Sequence, residues 1–206
     1  MRNPWERITL SDYENHMRLG SVGQLQALNN MMADQLYRYS TTTVMILGIA
    51  GGNGLDHIRP GSYNKIFGVD INADYLAACK MRYAALDGIL EIISTDLTGE
   101  QLMLPQAELV IANLLVEYIG YDCFKRIVSL VRPAYVSCAI QINTDDCFVS
   151  ESPYLKAFDC LNAVHCKISE DGLTHAMRIL GFKFCFSEVY PLPNGKILQR
   201  LDYKAD

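Results

Sequence analysis

Four short stretches of the chain carry residues whose types and spacing suit a single ligand site. They are Gly48, Ala50, Gly51 and Gly52; Asp70 and Ile71; Asp96 and Leu97; and Asn113 and Leu114. The first lies in the run GIAGGNG, where small residues let the backbone turn sharply and let a flat ligand approach the main chain. Asp70 ends the next apolar run. A small-residue loop after one strand and an acid at the tip of the next is how α/β sheets hold an adenosine: the loop passes beneath the ligand and the carboxylate takes the ribose hydroxyls. Each residue also has a plainer reading. The glycines suit a tight turn, Asp70 or Asn72 can cap a helix, Asp96 can sit in a turn, and Asn113 can bond at a strand end. Their order along the chain, each near a strand end, favours the shared site.

The elements that must position them follow from the hydrophobic pattern. Val44-Met45-Ile46-Leu47 is uncharged and apolar throughout, as a strand buried on both faces should be. Further strands are predicted at 65–69, 89–93, 109–112 and 135–142. Helices are predicted at 72–86 and 116–130, with a shorter one from Leu55 to before Pro60. Alternating strands and helices imply right-handed crossovers and a parallel sheet. Before the sheet, residues 1–10 read as an extended arm. Ser11 with Glu14 reads as a capping box opening a short helix, and 21–39 as a helix with the stripe Leu25, Leu28, Met32, Leu36. After it, 145–162 is polar and then helical, and Ser169 opens a helix ending at Gly181. Residues 182–190 and 196–203 are strands joined around Asn194-Gly195, a hairpin signal. The expectation is one α/β domain over 1–206: a helical cap at 1–43 on a core at 44–206. The core is a Rossmann-like, seven-stranded, mostly parallel sheet with helices on both faces and a C-terminal antiparallel hairpin.

Composition removes several functions. The net charge is −5 and the basic residues are dispersed, which excludes the basic stripe of a nucleic-acid binder. The apolar stretch around 109–119 is broken by Asn113 and Glu117 and is too short to span a bilayer. Seven cysteines with no Cys-x-x-Cys pair, and a polar N-terminal region without a signal-peptide core, suggest reduced thiols and a cytoplasmic protein.

In sum of its motifs the chain resembles the class I S-adenosylmethionine-dependent methyltransferases, from residue 44 to the end. The family's glycine triplet, G-x-G-x-G, falls on Ala50, Gly52 and Gly54, with alanine in the first place. The acid that usually precedes it, and that helps anchor the methionine ammonium, falls on Gly48. The resemblance implies S-adenosyl-L-methionine as cofactor. Asp70 would lie on the ribose hydroxyls, Asp96 and Leu97 beside the adenine, and Asn113 and Leu114 near the methionine part and the incoming acceptor. A nicotinamide-dependent oxidoreductase is the rival. It would want G-x-G-x-x-G and a helix N-terminus facing a pyrophosphate, but from Gly52 the third glycine is missing and Asp56 would repel the phosphates. A non-catalytic module that only binds the donor is the other alternative, suggested by Gly48 and Ala50.

Methyl transfer is an in-line attack on an already activated sulfonium. Alignment and exclusion of water supply much of the catalysis, and a base is optional. Tyr13 and His16 on the cap, and Glu117 and Tyr118 after the fourth strand, are the candidates for direct involvement; His165 could reach the mouth. His57 and His175 read as ordinary helix residues. The Asn/Asp-Pro-Pro-aromatic signature of enzymes that methylate planar nitrogens is replaced by Asn113-Leu114-Leu115-Val116, and no metal-ligand cluster is seen. A small-molecule acceptor is the remaining expectation, with no nucleic-acid or membrane partner.

Overall fold

The computed structural model describes residues 3–143 and 147–206. A 3-10 turn at Pro4–Arg7 leads into α1 (Leu10–Arg18) and α2 (Gln24–Tyr37). The sheet strands are β1 (Thr43–Leu47), β2 (Lys65–Asp70), β3 (Leu90–Ser94), β4 (Leu109–Asn113), β5 (Tyr135–Ile142), β6 (Phe182–Pro191) and β7 (Ile197–Ala205). Helices α3 (Ala73–Arg82), α4 (Val116–Val131) and α5 (Glu170–Ile179) connect them. The sheet order is β3-β2-β1-β4-β5-β7-β6. The first five strands pair parallel, and β7 runs antiparallel to both β5 and β6.

Alternation along the strands makes two cores. Val44 and Ile46 of β1 pack with Ile66, Ile111, Met32, Leu36, Leu76 and Cys79, beneath α2 and α3. Met45 and Leu47 point the other way, to Val110, Phe124, Ile127, Leu173 and Met177, beneath α4 and α5. Strands buried on both faces must be apolar at every position, which is why β1 and β4 carry no charge. Strand order reverses at β1, whose neighbours are β2 and β4. In an open α/β sheet the crevice beyond the strand tips at such a switch point is where ligands bind.

The sequence expectation differs from the structure at several boundaries. Residues 1–2 and 144–146 lie outside the described residues, and with them the start of the expected arm and of the polar stretch at 145. The rest of the arm is not extended. Asn3 caps a 3-10 turn, accepting from Trp5 N while Glu6 accepts from Asn3 N. Helix α1 is capped by Thr9 rather than Ser11, with Thr9 Oγ1 accepting from Asp12 N at 3.1 Å. Glu14 is not in a capping box; it pairs with Arg82 of α3. Helix α2 starts only after Gly23, whose φ of +69° halts the chain before it. Strand β3 starts one residue late because Ile89 N closes a turn onto Leu86 O. The expected helix from Leu55 is a single 3-10 turn, Leu55–His57, and the helical part of 145–162 is a 3-10 segment, Leu155–Ala163. No helix among the described residues is long and apolar enough to cross a membrane.

Candidate active site

Beyond the tips of β1, β2, β3 and β4 lies a cavity of about 850 Å3. Its floor is built by the loop after β1. Gly48 N and Ile49 N both donate to Val69 O, folding the loop back over the end of β2. Gly48 has φ +68° and Ala50 φ +48°. Left-handed backbone is awkward for a residue with a Cβ and is often found where a site demands it. Leu114, which also lines the cavity, is likewise at φ +52°.

Asp70 is fixed at the centre of this floor. Its Oδ2 accepts from Ala50 N at 2.9 Å and its Oδ1 from Asn72 N at 2.9 Å. Burial raises its pKa, and the backbone N–H groups of Asn72, Ala50 and Ile71 oppose that rise. Asp96 is held by Thr98, whose N and Oγ1 donate to Oδ1 at 2.9 and 2.7 Å. Asn113 is engaged in both directions with Gln35 of α2: its Nδ2 donates to Gln35 Oε1 at 2.8 Å and its Oδ1 accepts from Gln35 Nε2 at 2.9 Å.

The roof comes from the N-terminal segment. Asn3, Trp5 and Tyr13 line the cavity. Asn72 Nδ2 donates to Trp5 O at 3.0 Å and Tyr75 OH to Ile8 O at 3.0 Å, which fastens the roof to α3.

The structure therefore brings Gly48, Ala50, Asp70, Ile71, Asp96, Leu97, Asn113 and Leu114 to one cavity. Gly51 and Gly52 do not line it. A Cβ on Gly51 would stand 2.5 Å from Arg82 Nη1 and Glu14 Oε1, and one on Gly52 2.5 Å from the Tyr83 ring. These glycines let α1 and α3 close against the loop. Sequence reasoning missed Trp5, Tyr75, Thr98 and Ile119 among the lining residues. The only trace of Trp5 in the sequence is a lone tryptophan in a polar arm; what it faces depends on the arm folding back.

A second chamber of about 560 Å3 opens beside the first, sharing Trp5, Tyr13, Leu114 and Tyr118 with it. It contains the other candidates, His16, Glu117 and His165. Glu117 is 5% exposed. Its Oε1 accepts from Gln141 N at 2.8 Å, while Oε2 is buried with no hydrogen-bond partner among the described residues. Burial pushes its pKa up to about 7. His16 Nδ1 lies 2.7 Å from Ser152 Oγ, and burial with the nearby Lys196 charge lowers its pKa to about 4. His165 is shifted down for the same reasons and stacks on Phe148 at 3.8 Å. Burial drives the phenols of Tyr13 and Tyr118 far above their usual range, so both stay protonated. No cluster of three or more metal-ligating side chains occurs among the described residues.

The sequence matches no protein-family model and no curated protein. The fold does have relatives among solved structures. The [4+2]-cyclase SpnF aligns with a TM-score of 0.66 at 10% identity, over 91% of this chain and 84% of that one. The N-methyltransferase NodS from Bradyrhizobium japonicum WM9, in complex with S-adenosyl-L-homocysteine, aligns at 0.66 and 9%, over 95% and 97%. The magnesium protoporphyrin IX methyltransferase ChlM from Synechocystis PCC 6803, with bound SAH, aligns at 0.63 and 10%, over 94% and 87%. The chain has the class I S-adenosylmethionine-dependent methyltransferase fold. Since one neighbour is a cyclase, the fold leaves the reaction to be argued from the site.

Proposed function

We propose that the protein is an S-adenosylmethionine-dependent methyltransferase acting on a small-molecule acceptor. The observation that carries this reading is the paired chambers. One is a large cavity floored by the Gly48–Ala50 backbone and Asp70, and it shares Trp5, Tyr13, Leu114 and Tyr118 with a second, smaller one.

The residues present fit the donor. The Asp70 oxygens accept from backbone N–H groups and keep lone-pair capacity for a ribose hydroxyl. Leu97 and Ile71 supply apolar wall for an adenine, and Asp96 and Thr98 its polar edge. The donor, when bound, supplies a sulfonium methyl with a neutral thioether as leaving group. The chain's own part is to orient and to exclude water. Trp5, Tyr13 and Tyr118 stand where the chambers meet and shield the junction from solvent. A nicotinamide dinucleotide fits less well, since the turn after the glycine loop is three residues of 3-10 helix and presents no α-helix N-terminus to a pyrophosphate.

Calorimetry with S-adenosylhomocysteine tests this. Micromolar binding is expected, weakened by Asp70→Ala roughly 30- to 150-fold, as loss of charge-assisted bonds worth about 2–3 kcal/mol requires. A folded wild-type protein that binds neither donor nor product would sink the reading.

A further inference from the structure

Among the described residues that line the second chamber there is one acid and no lysine or arginine, and the buried Lys196 lies near enough for its charge to act on both of the chamber's histidines. The acid is Glu117, and the histidines His16 and His165 are both held towards their neutral forms. Glu117 is more than nine-tenths buried, yet Oε2 has no partner among the described residues, while Oε1 is used by Gln141 N. A buried carboxylate oxygen without a donor among the described residues is costly, and a donor entering the chamber relieves that cost. Much of the chamber's lining is aromatic. Trp5 meets Tyr118 edge-on at 4.8 Å, and Phe148 stacks on His165 at 3.8 Å. Aromatic rings beside a carboxylate suit an organic cation, which gains from both.

We infer that the acceptor is a small primary or secondary amine, and that Glu117 Oε2 is the catalytic base that receives its proton. This rests on the methyl-transfer reading. In the step, an ammonium N–H bond breaks and its proton passes to Glu117. The freed nitrogen lone pair forms a C–N bond to the donor methyl as the C–S bond breaks. The electron pair of that bond stays on sulfur, giving the neutral thioether and a methylated ammonium, and Glu117 later returns its proton to solvent. A carboxyl near pH 7 in its titration is suited to take and release a proton there. The titratable and charged groups around it are Tyr118 beside it on α4, Tyr13 and His16 on α1, Cys138 on β5, His165, and Lys196, whose charge reaches both histidines.

The test uses the full chain saturated with S-adenosylhomocysteine, titrated by calorimetry with butylamine, piperidine and benzylamine, and with butanol and butyrate as neutral and anionic counterparts. The amines are expected to bind at least tenfold more tightly than butanol, and butyrate not at all. Glu117→Gln should weaken amine binding at least tenfold while leaving the S-adenosylhomocysteine affinity within twofold, which also shows that the variant is folded. Should Glu117→Gln fail to fold, Phe148→Leu keeps the test alive, with an expected loss of threefold or more for amines only. With a methyl-labelled donor, amine turnover should fall at least 100-fold in Glu117→Gln. Equal binding of butanol or butyrate, or unchanged amine binding and turnover in the variants, overturns the amine assignment. Failure to bind S-adenosylhomocysteine overturns the methyl-transfer reading instead.

Discussion

Two residues of the cavity wall show how local chemistry and backbone geometry are traded. Ala50 occupies a left-handed position at φ +48° that glycine would hold without strain. Ala50→Gly should therefore stabilise the fold by about 0.5–1 kcal/mol, the relieved strain being partly offset by the entropy glycine adds to the unfolded chain. Thermal denaturation should show a rise of about 1–4 °C. A lower melting temperature would mean that the Ala50 methyl packs usefully. Glu117 and His16 make a second prediction at this scale. The pKa of Glu117 rises from 4.5 to about 7 on folding, so the folded chain holds the extra proton between those values, and stability present below pH 4.5 is lost as pH rises to 7. The pKa of His16 falls from 6.5 to about 4, so its effect has the opposite sign: stability present above pH 6.5 is lost as pH falls to 4. Each amounts to about 3 kcal/mol, and between pH 4.5 and 6.5 they nearly cancel. Glu117→Gln removes one of the pair. Denaturant unfolding across this range should then show a difference between wild type and variant that grows by about 3 kcal/mol as pH goes from 4.5 to 7. A flat difference would mean that Glu117 ionises in the fold as freely as in the unfolded chain.

At the scale of elements, the start of α4 is what places Glu117. A continuous helix is the sequence expectation for 116–130, and Val116–Val131 does form, but Gly120 inside it has φ 72° and ψ 169°. That conformation is open almost only to glycine. The break frees the Glu117 carbonyl, which accepts from Cys166 N at 2.6 Å and so ties the first turn to the segment carrying His165. Gly120→Ala should cost about 1–3 kcal/mol in denaturant unfolding. The nearest atom to an added Cβ is Cys166 Sγ at 3.8 Å, which is ordinary contact, so the cost is conformational and Cys166→Ala should not rescue it. Rescue would show a steric cause instead. A lone glycine in an amphipathic helix looks in the sequence like a tolerated weak position, because the hydrophobic period runs straight through it.

Across the whole molecule, a buried polar chain links the far strands to the site. Arg200, fully buried, donates to Asp202 at 2.9 and 2.6 Å and to Asp34 at 2.6 Å. Ser137 Oγ donates to Asp202 at 2.5 Å and accepts from Gln35 Nε2 at 2.8 Å, and Gln35 in turn holds Asn113 on the cavity wall. Removing one member strands a buried charge. Arg200→Leu should cost about 3–5 kcal/mol, and the double change with Asp202→Leu should cost less than the single one. A more damaging double variant would mean that packing rather than charge dominates.

The sequence by itself determined the alternation of strands and helices, the antiparallel end of the sheet and the strand tips at Asp70, Asp96 and Asn113. These follow from local hydrophobic period and turn chemistry, which act over a few residues. It could also mark Glu117 as a polar residue in an apolar stretch. Only the tertiary structure decided that Gly51 and Gly52 serve packing while Gly48 and Ala50 line the cavity, because that depends on where Arg82 and Tyr83 arrive from α3 and its end. The same holds for the roof at Trp5, the amide pair of Gln35 and Asn113, and the unpartnered oxygen of Glu117. Each arises between residues far apart in the chain, where burial and hydrogen-bond supply are set by neighbours that no local pattern encodes.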